Sequence, residues 1–141
     1  MVTFTVAGHP VTQGSKQAIR RRDGRISMIE SGGDRLTQWR HAINDEARHV
    51  TNGGSPVAGP VAIEAHFTIP KPASAPKRRR TWPIKTRSGD LDKLARAALD
   101  AMTGVIYDDD AQVVDLHVTK DWADPDRPPG VTITVTTGDR P

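Results

Sequence analysis

Three aspartates in two short blocks carry the chemistry open to this chain. Asp90 and Asp92 stand two apart in Gly89-Asp-Leu-Asp-Lys-Leu-Ala-Arg96. Asp110 follows 18 residues after Asp92, in Gly104-Val-Ile-Tyr-Asp-Asp-Asp-Ala-Gln-Val-Val114. In extended backbone, residues two apart project to one side, so Asp90 and Asp92 can face one cation. Carboxylates resist being gathered because like charges disfavour each other's ionisation. A hard divalent cation such as Mg²⁺ offsets that repulsion and takes oxygen ligands. The competing reading is helix capping, since an aspartate at a helix start accepts backbone N–H bonds and meets the positive dipole end. Capping accounts for one member of the pair better than for both. The run Asp108 to Asp110 can equally be a solvated turn, and within it Asp110 lies nearest the apolar Val113-Val114. Asp100 and Asp115 read as surface or supporting residues. Arg96 falls four residues after Asp92 on the same helix face, where it can hold the carboxylate, contact a phosphate or form a simple surface pair.

The acidic block follows a strongly basic one. Residues 71 to 88 hold Lys71, Lys77, Arg78, Arg79, Arg80, Lys85 and Arg87 and no acid. The whole chain carries only +3, so the remainder without these seven is at −4. Such local basicity is the footprint expected for a phosphate backbone, although a solvated loop would share it. Pro70, Pro72, Pro76 and Pro83 keep the segment extended, so it could be a mobile DNA-binding arm ordered by its partner. Trp82 inside it can stack on an unpaired base or anchor a loose segment. Carboxylates beside a basic arm suggest metal-assisted chemistry on a phosphodiester backbone. Lys16, Lys93 and Lys120 are further candidates for phosphate contact. His9, His41, His49, His66 and His117 show no zinc-binding spacing, and the chain has no cysteine.

The elements that must position these residues can be read from periodicity. Val2 to Val6 alternates as a strand. Gln17 to Glu30 reads as a hairpin about a two-residue Asp23-Gly24 turn. Leu36, Trp39, Ile43, Ala47 and Val50 form the apolar stripe of a helix over 35–50. Val61 to Ile69 alternates as a second strand. Leu91, Leu94, Ala95, Ala98, Leu99 and Met102 mark a second helix that ends near Gly104. Residues 112–120 and 131–137 read as two strands, joined as a hairpin through the loop Asp124 to Gly130. These 141 residues predict an α/β (α+β) single domain over 1–141, a mixed β-sheet with an N-terminal hairpin and two main helices. With 35% hydrophobic and 4% aromatic residues the core is modest, which favours a homodimer. The small face of the second helix, around Ala97, Ala98, Ala101 and Met102, is its expected interface. No apolar run approaches transmembrane length, and the first residues lack a signal peptide's pattern, so no membrane association is expected and the cytoplasm is.

At this point the chain resembles the RusA family of Holliday junction resolvases. The carrying residues are Arg87-Ser-Gly-Asp-Leu-Asp-Lys-Leu94, Ala97-Ala-Leu-Asp-Ala-Met-Thr-Gly104, Asp109-Asp-Ala-Gln-Val-Val114 and Val118-Thr-Lys120. The opening Gly8-His-Pro-Val-Thr-Gln-Gly-Ser-Lys16 is similar to that of many phage-borne members. The resemblance implies an endonuclease that resolves four-way DNA junctions in recombination and repair, acting as a symmetric homodimer with Mg²⁺ or Mn²⁺, in a bacterial or phage-infected cell. It also implies that Asp90, Asp92 and Asp110 are the catalytic and metal-binding acids. The family pattern has asparagine after the second aspartate and often lysine four residues after it, where this chain has Lys93 and Arg96. Arg96 keeps the positive charge without lysine's compact ammonium, which suits phosphate or transition-state charge. The alternatives are a non-catalytic DNA-binding module and a nuclease of broader branched-DNA or flap specificity.

Overall fold

A computed structural model describes residues 1–14, 16–20, 22–30 and 33–138, without side chains for 16–20 and 26–30. In chain order the elements are β1 (Val2–Ala7), β2 (Lys16–Arg20), β3 (Ile26–Glu30), α1 (Gly33–Val50), β4 (Val61–Ile69), α2 (Leu91–Met102), β5 (Val113–Trp122) and β6 (Gly130–Thr137). Four strands form one mixed sheet in the order β1-β6-β4-β5, and β2 pairs with β3 apart from it. This is the predicted α+β domain with its N-terminal hairpin and two main helices.

Alternation decides which side of the sheet is covered. Phe4 and Val6 on β1, Ile63, Ala65 and Phe67 on β4, and Val131, Ile133 and Val135 on β6 are buried. They fall in register, with Ile133 opposite both Phe4 and Ala65. Over them lie Leu36, Trp39, Ile43 and Ala47 of α1 and Leu94, Ala97, Ala98, Ala101 and Met102 of α2, all in one core cluster. The intervening residues make a polar outer face. Thr3 and Thr134 hydroxyls meet at 3.0 Å, Thr5 and Thr132 at 3.2 Å, and His66 Nδ1 lies 2.6 Å from Thr119 Oγ1.

Three expectations change. The strands β5 and β6 form no hairpin: β4 lies between them, parallel to β5 and antiparallel to β6. The sequence β4-α2-β5 is a crossover, which parallel pairing requires, and the almost fully apolar inner face of β4 takes the sheet interior. The β2–β3 hairpin is present, but its pairing ends at Arg20 opposite Ile26, so the connection exceeds two residues. Asp23 there accepts the Arg25 amide at 2.9 Å and so closes a local turn of its own. Finally, the alanine face of α2 is not an outer surface. Ala97, Ala98, Ala101 and Met102 are at most 4% exposed within the single chain. Small side chains permit close helix packing, and here α1 and the sheet use it.

Candidate active site

The first acids sit where an extended segment becomes α2. Asp90 is the residue before the helix, with φ −75° and ψ 139°, and its side chain makes no capping hydrogen bond. Its carboxylate lies instead 3.7 Å from Lys93 Nζ. Capping therefore does not account for Asp90. Asp92 is exposed in the first helical turn. The turn before them is built around Gly89 at φ +91°, where a Cβ would stand 2.7 Å from Thr12 and 3.3 Å from Leu94. Lys120 Nζ reaches across from β5 to donate to Gly89 O at 2.6 Å and Ser88 Oγ at 3.0 Å. Two of its three protons thus fix the turn that precedes Asp90.

Asp110 is reached by a different route. Val105, Ile106 and Tyr107 are buried, and Tyr107 donates its hydroxyl proton to Leu99 O at 2.6 Å. Burial, then the charges of Asp110 and Asp100, push that hydroxyl far above its usual pKa. The acidic run leaves this anchor and enters a 3-10 turn over Asp110–Gln112. Asp109 caps the turn, accepting from Ala111 N at 2.9 Å. Gln112 closes the box, accepting from the amides of Asp108 and Asp109 at 3.0 Å. Its own amide donates at 2.9 Å to Val57 O and Gly59 O. Asp110 stands beside Asp109 and near Asp100 on α2. Burial, contact with Asp109 and the charges of Asp100 and Asp109 raise the Asp110 carboxyl above the ordinary range.

Asp100, expected as a surface or supporting residue, lies near Asp110. It follows Asp92 and Arg96 at successive four-residue steps, which lines all three along one helix stripe. Asp92 and Asp100 are about 12 Å apart along the axis. Gln13 of the opening loop donates through Nε2 to Asp100 Oδ2, and its backbone amide meets Lys93 O at 3.1 Å. Gln13 is 6% exposed, and its Oε1 is buried without a partner. Sequence reasoning passed over Gln13, since no periodicity marks a loop residue that docks on a helix far along the chain. Its signal for Asp100 was the eight-residue spacing from Asp92.

The acids offer an all-oxygen donor set, and the orphaned Gln13 oxygen is a further acceptor beside them. Both fit a hard cation. Among the described residues no group of three or more His, Asp or Glu side chains is placed to hold a metal ion. Asp110 meets Asp100 and Asp109, while Asp90 and Asp92 stand at the other end of α2.

The basic residues divide by what holds them. Lys77, Arg78, Arg79, Lys85, Arg87, Lys93 and Arg96 are exposed. Arg80 donates to Asp121 at 2.8 Å, which holds the Asp121 carboxyl below its usual range. The Lys16 side chain lies outside the described residues. A groove of about 500 Å³ between the helices adds Arg40, His41 and Arg48 beside Asp100, residues that the apolar stripe of α1 did not single out.

A family model described as Endodeoxyribonuclease RusA matches residues 7–136. The uncharacterized protein YqaN of Bacillus subtilis (strain 168) is 29% identical over 134 residues, covering 89% of this chain and 91% of that protein. No helix among the described residues is long and apolar enough to cross a membrane. The family match runs from the end of β1 to near the end of β6 and takes in Gln13, the acids of α2 and Gln112 with its acidic turn. On that extent of agreement, the chain belongs to the RusA endodeoxyribonuclease family.

Proposed function

We propose that this protein is an Mg²⁺-dependent endonuclease that resolves four-way DNA junctions by paired hydrolysis, in recombination and repair. The family match over residues 7–136, which takes in Asp90, Asp92, Asp100 and Asp110, carries the reading. The Gln112 capping box supports it by fixing the turn that bears Asp110. Asp90, Asp92 and Asp110 are the proposed ligands, with Asp100 beside Asp110 on α2; about 12 Å of helix axis separates Asp92 from Asp100, so a shared ion would have to draw the two groups of acids together. A bound Mg²⁺, or Mn²⁺ in its place, supplies a water of lowered pKa and offsets charge that develops on the phosphate. The chain's own groups do the rest. Gln13 and Lys120 hold the two ends of the acidic line, Arg96 presents a fixed positive charge to the phosphate, and the basic segment neutralises the flanking backbone. Hydrolysis adds water across the phosphodiester and breaks one P–O bond, leaving ends that a ligase can seal.

Two strands must be cut, so the reading includes a homodimer. Its surface cannot be the buried alanine face of α2. Edge strands with free backbone groups are templates for pairing, and the outer edge of β5 carries the exposed Val114 and Leu116, 65% and 44% accessible. We assign the interface to that edge.

The deciding experiment is cleavage of a labelled four-way junction and a matched duplex, with Mg²⁺ and with chelator. Asp90→Asn, Asp92→Asn and Asp110→Asn should each abolish cleavage, because asparagine keeps the shape and removes the charge a hard cation needs. Mobility shifts on the same preparations should show junction binding retained. Wild-type rates in two of the three variants would overturn the carboxylate assignment. A chain that binds junctions and cuts nothing with either metal would be a binding module instead.

A further inference from the structure

The basic segment does not merely lie over the sheet. It roofs a cavity of about 670 Å³ above the ends of β4 and β5. The roof is tied down at defined points. Ser88 Oγ lies 2.7 Å from Pro83 O and 2.6 Å from Lys85 O, and Pro83 is fully buried. Trp122 donates its indole N–H to Thr81 Oγ1 at 3.0 Å. Arg80 stands 4.5 Å from the Trp82 ring centre while its guanidinium holds Asp121. Trp82 is thereby fixed yet 55% exposed.

The lining combines two indoles, Trp82 and Trp122, with Arg35, Arg79, Lys85 and Arg87, and contains no acid. An apolar hollow alone would fit many occupants. A hollow with aromatic walls, several cations and no carboxylate selects a flat apolar ring attached to an anion. That is a nucleotide whose base has left its stack. Sites for single-stranded DNA join the same two features, aromatic platforms and a cationic track for the backbone. The volume lies within the range of small-molecule pockets. Duplex interiors offer no such base, because extruding one costs a few kcal/mol. A branch point supplies it more readily.

We propose that this cavity binds one unstacked nucleotide of branched DNA, its base against Trp82 and its phosphates against Arg79, Lys85 and Arg87. The inference rests on the branched-DNA reading above and names the feature of the branch that is recognised.

The test uses the full chain in chelator, so that cutting plays no part. A short oligothymidylate, a fully paired duplex and a four-way junction with 2-aminopurine at its centre are each titrated by fluorescence. The oligothymidylate should quench tryptophan emission, and the central 2-aminopurine should change its emission on binding. Trp82→Ala should weaken oligothymidylate binding about tenfold, the scale of one base–aromatic stack, and should leave the duplex unaffected. Trp82→Phe should restore most of the affinity. Circular dichroism of the alanine variant should match the wild type, since the side chain is largely exposed. Equal oligothymidylate affinity in wild type and Trp82→Ala overturns the pocket, as does an equal loss on the duplex. If oligothymidylate binds as described but the junction is not preferred in chelator and is not cut when Mg²⁺ is added in a parallel assay, the pocket stands and the junction reading falls. If junctions are cut in that Mg²⁺ assay and Trp82 proves indifferent, the reverse holds.

Discussion

Asp110 and its two acidic neighbours are told apart by their hydrogen bonds. All three are exposed; Asp109 is engaged by the Ala111 amide, and Asp108 gives its own amide to Gln112. Asp110 has its carboxyl raised by burial, by Asp109 and by Asp100. A carboxyl whose folded pKa exceeds its unfolded value binds more protons when folded. It favours the fold at and below the ordinary carboxylate range, near about 4, and that contribution is lost as pH climbs through the raised value. The metal-free protein should therefore lose melting temperature just above that range relative to Asp110→Asn. Mg²⁺ should restore it, more at higher pH, because the ion competes with protons for the same oxygens. Melting curves of both proteins, with and without Mg²⁺, check this. Equal Mg²⁺ stabilisation of both would remove Asp110 from the ligand set. The sequence singled out Asp110 by its place beside Val113. What Gln112 does was not legible, since its partners Val57 and Gly59 lie more than fifty residues away and no local pattern announces them.

Among the elements, the basic segment shows how composition and attachment differ. Seven cations without an acid mark it in the sequence, but not which of them are already bound within the protein. Arg78 and Arg79 are exposed, whereas Arg80 bridges to Asp121 and covers Trp82. Neutralising Arg78 and Arg79 together should lower the slope of log affinity against log salt by about two, near one per phosphate contact. Arg80→Ala should act mainly through the roof, weakening single-strand binding beyond its one charge. Salt titrations of junction binding separate the two, and an unchanged slope in the double variant would mean these residues do not touch DNA. The helices were legible because a 3.6-residue stripe is local information. The β5–β6 relation was not, because alternation says which face a strand buries and is silent on its neighbour. The alanines of α2 likewise announce close packing without naming the partner, which is α1 and the sheet of the same chain.

At the scale of the molecule, β5 is one of the two edge strands of the sheet among the described residues, the other being β1, while both helices cover a single face. Sedimentation at micromolar concentration should give a dimer for the wild type and a monomer for Leu116→Glu, since charges opposed across a two-fold axis repel. The variant should nick junctions singly where the wild type cuts in pairs. A Leu116→Glu protein that stays dimeric would move the interface elsewhere. The strand order has a consequence of another kind. The strand β6 lies between β1 and β4, yet it is made after both. While the ribosome is still building the chain, β1 has no partner in the large sheet, and β4 has at most β5. The pairing of Val2 with Val135 joins the two ends of the domain, and such distant contacts form slowly because loop closure must come first. The nascent polypeptide therefore cannot assemble its sheet, or the acids arrayed above it, until translation has passed Thr137. A nuclease built this way reaches activity only as a finished product, with no half-made form able to cut the DNA near its site of synthesis.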